Sequence, residues 1–150
     1  MQASIDTAIG PFSVKEQDGH IVSAGWATVA APATTPLLKE ACRQLEAYFA
    51  SELTSFDLPL APNVSEFERQ VLDAMSRIPF GETRTYGDLA RELDTQPQAI
   101  GQACGANPIP IIIPCHRVLA ANGLGGFSAP GGIETKIKLL KHEGAASLLI

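Results

Sequence analysis

SEFERQVLDAMSRIPFGETRTYGDLARELDTQPQAIGQACGA, residues 65–106, decides the fold of the larger part of this chain. Ser65 with Glu68 three places on forms a capping box, and Phe67, Val71, Leu72 and Met75 recur behind it at helical spacing, so the stretch opens on an amphipathic helix. Ile78-Pro79-Phe80-Gly81 stops it. Thr85 and Asp88 repeat the box and start a short helix with Leu89, Ala90 and Leu93 inward. After a tight connection, residues 97–106 predict another short helix, with Ala99, Ile100, Ala103 and Cys104 as packing positions. Two short helices joined by a turn are the parts of a helix-turn-helix, a unit that is also common as plain packing.

The next residues, 107–118, read NPIPIIIPCHRV. Pro108, Pro110 and Pro114 forbid a regular helix and bias the residues before them to extended backbone, so a stiff segment delivers Cys115 and His116 to a fixed place. A cysteine attacks as thiolate and needs a partner that removes its proton. His116 is adjacent, directly or through a water, and an acid would hold its imidazole in the useful tautomer. Glu143, at the end of the helix-like run 133–142, is the preferred candidate and Glu134 its competitor, and the residues alone do not decide between them. A single Cys-His dipeptide is also compatible with an inert buried thiol beside a core histidine. Downstream, residues 122–132 hold five glycines in eleven positions, which lets backbone approach a ligand closely and shape a pocket rim. No GxxxxGK[ST] phosphate loop is present. Lys136, Lys138 and Lys141 follow on the last predicted helix and read as a solvated face.

Upstream, residues 9–29 alternate loosely, with turn signals at Gly10-Pro11 and Asp18-Gly19, and predict a few short strands with Asp18-Gly19 as a hairpin turn. Thr35-Pro36 is an N-cap followed by proline at the first helical position, and Leu37, Leu38, Ala41, Cys42, Leu45, Tyr48 and Phe49 mark an amphipathic helix with Cys42 on its apolar stripe. FDLPLAP, residues 56–62, reads as an extended linker. The expected organisation is α/β: a small N-terminal β-sheet with a helix over residues 1–60, then a helical domain over 62–150 carrying a winged-helix-like helix-turn-helix.

Of the 150 residues, 45 % are hydrophobic and 18 % charged, which fits a folded globular chain rather than a disordered one. The N-terminus carries no basic patch ahead of an apolar run, and apolar runs such as 111–113 fall far short of the roughly 20 residues of a membrane span, so a cytoplasmic location is expected. The three cysteines follow no disulfide or metal spacing. The net charge of −5 alone argues against nucleic acid. However, residues 1–63 hold three Lys or Arg against seven Asp or Glu, and residues 64–150 hold eight against nine, so the second part is near neutral and compatible with a modest DNA-binding face.

Pro114-Cys115-His116-Arg117-Val118, preceded by Asn107-Pro108-Ile109-Pro110 and followed by Gly125-Gly126-Phe127-Ser128, resembles the active-site signature of the O6-alkylguanine-DNA alkyltransferases, also called methylated-DNA–protein-cysteine methyltransferases. The resemblance extends upstream through residues 78–90, is strong over 62–144, and is looser around Gly10-Pro11 and Trp26. It implies repair by transfer of an alkyl group from O6-alkylguanine in double-stranded DNA to Cys115, once per molecule, with no cofactor and no metal. O4-alkylthymine stands as a second possible substrate, and a working monomer is expected. The resemblance assigns His116 as the base acting through a water, Glu143 rather than Glu134 as its orienting carboxylate, and Asn107 as the brace of the active-site turn. It makes Tyr86 a contact to guanine and to the adjacent phosphate, and Phe127 and Ser128 the loop over the flipped base. Gln98, Ala99, Gly101 and Lys136 fall in its DNA-binding set. Gln98 stands where family members usually carry an arginine that fills the gap left by the flipped base, which predicts weaker DNA binding or an altered preference. Residues Ala129-Pro130 are an insertion before Gly131-Gly132 that lengthens the lid. Two other readings compete: a lesion-binding relative without transfer activity, which usually lacks the acceptor cysteine, and a cysteine hydrolase, which gives the helix-turn-helix no purpose.

Overall fold

A computed structural model describes residues 1–127 and 129–145. By its internal contacts the chain divides into two units, Met1–Asn63 and a second beginning at Val64.

The first unit is an antiparallel meander, β1 (Gln2–Thr7), β2 (Gly10–Gln17) and β3 (His20–Gly25), covered by helix α1 (Pro36–Phe49). Asp18 (φ 52°) and Gly19 (φ 77°) make the two-residue turn between β2 and β3, the left-handed pair that such hairpins require. The other turn signal was misplaced: β2 begins at Gly10 itself and pairs Pro11 with Asp6, so the reversal lies at Ala8-Ile9. Strand β1 lies ahead of the region in which strands were expected. Pro36 opens α1 behind the Thr35 cap, whose hydroxyl accepts from Leu38 N. Phe12, Val14, Ile21, Leu38, Ala41, Leu45 and Tyr48 form the core, whereas Cys42 is only half-buried. The Pro-rich segment is no free linker. Ile21 N donates to Pro59 O and Ala61 N to Ile21 O, so residues around Leu60 run beside β3, and buried Gln44 exchanges two hydrogen bonds with the Asp57 backbone.

The second unit opens with α2 (Glu66–Ser76), whose capping box is formed in full. Val71, Leu72, Ala74 and Met75 are buried, but Phe67 is exposed, because it lies in the first turn beyond the reach of the core. A two-residue strand β4 (Arg84–Thr85) leads into α3 (Tyr86–Glu92), capped by Thr85 and Asp88. Asp94, left-handed at φ 53°, turns the chain into α4 (Pro97–Gly105), which packs on α3. Strand β5 (Val118–Leu119) pairs in parallel with β4, and α5 (Ile133–His142) closes the unit. The parallel pair was not foreseen, since two residues carry no readable period. Among the described residues no helix is long and apolar enough to cross a membrane.

Candidate active site

Between α4 and β5 the chain makes two tight reversals. Ile112 N donates to Pro110 O across Ile111, which sits at φ 70°, a γ-turn conformation that β-branched residues rarely adopt. Cys115 N then donates to Ile113 O across Pro114 (φ −83°, ψ 67°), an inverse γ-turn that suits the proline ring. Asn107 holds the segment from within: its Nδ2 donates to Ile113 O (2.9 Å) and its Oδ1 accepts from Ile109 N (3.0 Å). Residues 115–117 form a single 3-10 turn at the end of this brace.

The thiol of Cys115 is nearly buried but lines a cavity of about 570 Å³. Tyr86 from α3 lines it too, with Pro97, Gln98, Gly101, Gln102, Cys104 and Gly105 from α4 and Gly126 and Phe127 from the glycine-rich loop. On α4 these positions share one face, and Ile100 and Ala103 on the other are buried. Burial pushes the Cys115 thiol up, against the hydrogen bond from Asn107 and the charge of Lys136, so the resting thiol is protonated. Burial pushes Cys104 up to about 12, and raises the Tyr86 hydroxyl as well. Cys104 Sγ lies 3.4 Å from Met75 Sδ, so this thiol is part of the wall and a poor nucleophile.

His116 is fully buried. Its Nε2 lies 2.7 Å from Glu143 Oε2, while Nδ1 has no hydrogen-bond partner among the described residues. Burial lowers the imidazole's affinity for a proton; Glu143 opposes this, and Arg117 and Lys136 reinforce it. Glu143 caps the C-terminal end of α5, whereas Glu134 is exposed in its first turn and plays no part.

Lys136 corrects the sequence reading. It is neither on a solvated face nor available to a phosphate: it is fully buried, with Nζ donating to Val118 O (2.7 Å) and Gly126 O (3.2 Å) and lying 5.9 Å from the Tyr86 ring centroid. Burial pushes its ammonium down to about 8. The spacing Lys136, Leu139, Leu140, Glu143 is that of one helical face, the signal that marks Lys136 as inward. Gln98 is exposed at the cavity edge, Ala99 is half-buried on α4 outside the lining, and Ser128 lies outside the described residues. Arg117, which sequence reasoning gave no role, binds Glu143 bidentately. No group of three or more potential metal ligands occurs among the described residues.

Residues 66–145 match the family model for the DNA-binding domain of 6-O-methylguanine DNA methyltransferase, and residues 1–62 match the model for its ribonuclease-like domain. A methylated-DNA–protein-cysteine methyltransferase of Archaeoglobus fulgidus is 39 % identical over 137 residues, covering 89 % of this chain and 92 % of that protein. One from Methanosarcina acetivorans is 52 % identical over 110 residues, covering 71 % and 69 %. Among solved structures, Mycobacterium tuberculosis OGT in complex with DNA superposes with a TM-score of 0.85 at 36 % identity, over 96 % of this chain and 92 % of that one. The O6-methylguanine methyltransferase of the same organism gives 0.83 at 35 % identity, over 97 % and 94 %.

Proposed function

Because the chain belongs to the 6-O-methylguanine DNA methyltransferase family, we propose that it repairs DNA directly, by moving the alkyl group of an O6-alkylguanine onto the sulfur of Cys115. The observation that carries this reading is the placement of the Cys115 thiol on the wall of a cavity large enough to admit a purine, with His116, paired to the buried Glu143, next to it in the chain. The alkylated base leaves the duplex, at a cost of a few kcal/mol that binding offsets, and enters between Tyr86, Phe127 and α4. Sulfur attacks the alkyl carbon from the side opposite O6. The S–C bond forms as the C–O bond breaks, and the electron pair of the latter remains on guanine, which takes up a proton.

The thiol is protonated at rest, so its proton leaves during transfer, to His116 Nδ1 by way of a water. Glu143 then faces the imidazolium. The Tyr86 hydroxyl, kept protonated by its burial, is the donor to the departing base. Asn107 keeps the sulfur on line, and orientation supplies most of the rate. The thioether product has no water-labile bond, so each molecule reacts once, and one active site per chain needs no second copy. We place the protein with its DNA in the cytoplasm, acting as a monomer. Gln98 meets the gap left by the flipped base as a neutral amide that hydrogen-bonds the orphaned partner but adds no phosphate attraction.

The test is the stoichiometry of dealkylation. With lesion-bearing duplex in excess, repaired guanine should stop accumulating at one per protein chain. Continued turnover would indicate a hydrolase, and binding with no repair would indicate a lesion sensor.

A further inference from the structure

The transfer chemistry leaves the guanidinium of Arg117 without a task, yet its placement is specific. Directly after His116, the side chain turns to the same carboxylate: Nε donates to Glu143 Oε1 (2.8 Å) and Nη2 to Oε2 (3.0 Å), while Nη1 donates to Ile78 O (2.6 Å). Oε2 is thus shared between the guanidinium and His116 Nε2 at 2.7 Å. Arg117, His116 and Glu143 are 6 %, 0 % and 4 % exposed, so their charges act on one another with little screening by water.

We propose that Arg117 is a positioning residue that sets the basicity of His116, sharing Glu143 so that the imidazole rests neutral as the Nε2–H tautomer with its Nδ1 lone pair free for a proton. This rests on the reading that Cys115 is alkylated. An ionised carboxylate only accepts hydrogen bonds, so the hydrogen between His116 and Glu143 belongs to Nε2, which leaves Nδ1 the acceptor in a neutral ring. Were Glu143 to face His116 alone, its buried negative charge would draw a second proton onto the ring. An imidazolium cannot take the proton of the Cys115 thiol. Arg117 cancels that charge, and Arg117, Glu143 and a neutral His116 sum to zero. The remaining surroundings agree. Among the described residues, α5 and its cap bring the Lys136 ammonium and Glu143 to bear on the ring, and Lys136 acts in the same sense as Arg117. The buried face of α2 packed against the 3-10 turn offers Val71, Leu72, Ala74 and Met75, none of them charged. Cys115 is the other titratable neighbour. Bidentate geometry matters as well, because it fixes the plane of the carboxylate and with it the direction of Nδ1.

The test is the pH profile of single-turnover methyl transfer from an O6-methylguanine duplex. In Arg117→Gln the acid limb should move up by about one pH unit or more, since the cation closest to Glu143 is then gone and only burial and Lys136 still oppose the carboxylate. Arg117→Lys keeps the charge but loses the fork, so its plateau should fall while the acid limb stays in place. An acid limb in Arg117→Gln that is unmoved or displaced downward overturns the proposal and leaves Arg117 as packing. Should that variant not fold, the imidazole nitrogen shifts of His116 in the unaltered protein decide: Nε2 protonated and Nδ1 bare at neutral pH is expected, and an imidazolium or the opposite tautomer overturns it. Failure of the unaltered protein to take up methyl would instead refute the alkyl-transfer reading, and the nitrogen shifts would still report on the charge arrangement.

Discussion

Replacing Gly125 by alanine should disable transfer while leaving the protein folded. Gly125 sits at φ +73°, and a Cβ there would meet the Tyr86 ring at 2.8 Å from its hydroxyl oxygen and 2.9 Å from Cε2. The left-handed backbone costs an alanine about 1 kcal/mol, and forcing a methyl group against a packed ring costs about 1–2 kcal/mol more, so a total loss of about 2–3 kcal/mol is expected. Tyr86 cannot yield without consequence. The ammonium of Lys136 lies 5.9 Å from its ring centroid, and Lys136 is itself tied to Val118 O and Gly126 O. A displacement of about 1 Å in a group that orients the base costs on the order of 10²-fold in rate. Urea unfolding reads the first quantity and single-turnover transfer the second. Gly123 is the control, since it is not left-handed and an added Cβ would have nothing within 4 Å; its alanine variant should behave as the unaltered protein. A Gly125→Ala variant that transfers methyl at the unaltered rate would refute the account of how Tyr86 is held.

Asn107→Ala removes both bonds that brace the active-site segment and should cost about 2 kcal/mol in urea unfolding, with slower transfer because the sulfur is no longer held on line. Gln98→Arg should speed transfer on duplex DNA and steepen the salt dependence of binding by about 0.9 in log–log slope, measured by titration at several salt concentrations. Lys136 titrates near 8 when folded and near its ordinary 10.5 when unfolded. Between these values the unfolded chain binds more protons, so this group makes stability rise with pH across that window. Denaturation at a series of pH values should show that contribution in the unaltered protein and lose it in Lys136→Met.

Local chemistry was legible in the sequence and tertiary chemistry mostly was not. The boxes at Ser65 and Thr85 and the Asp18-Gly19 turn involve residues no more than three apart, so their types announce the structure. The prolines around Cys115 foretold a stiff segment, though not that its stiffness would take the form of two γ-turns braced by Asn107. The partnership of Arg117 with Glu143 spans 26 residues and is decided only when α5 packs on the 3-10 turn. A lysine in a helix usually faces water, and the signal that Lys136 does not, the stripe it shares with Leu139 and Leu140, went unused in the sequence reading. Cys104 read as a packing position, which it is, but the wall it completes exists only once α4 stands opposite the glycine-rich loop.

Location of the transferred methyl tests the central claim most directly. After incubation with duplex DNA bearing O6-methylguanine, digestion and peptide mass analysis should place a single added methylene equivalent on Cys115, with Cys42 and Cys104 unmodified and a Cys115→Ser variant unchanged in mass. An unmodified Cys115, or a methyl group found on another residue, would contradict the account.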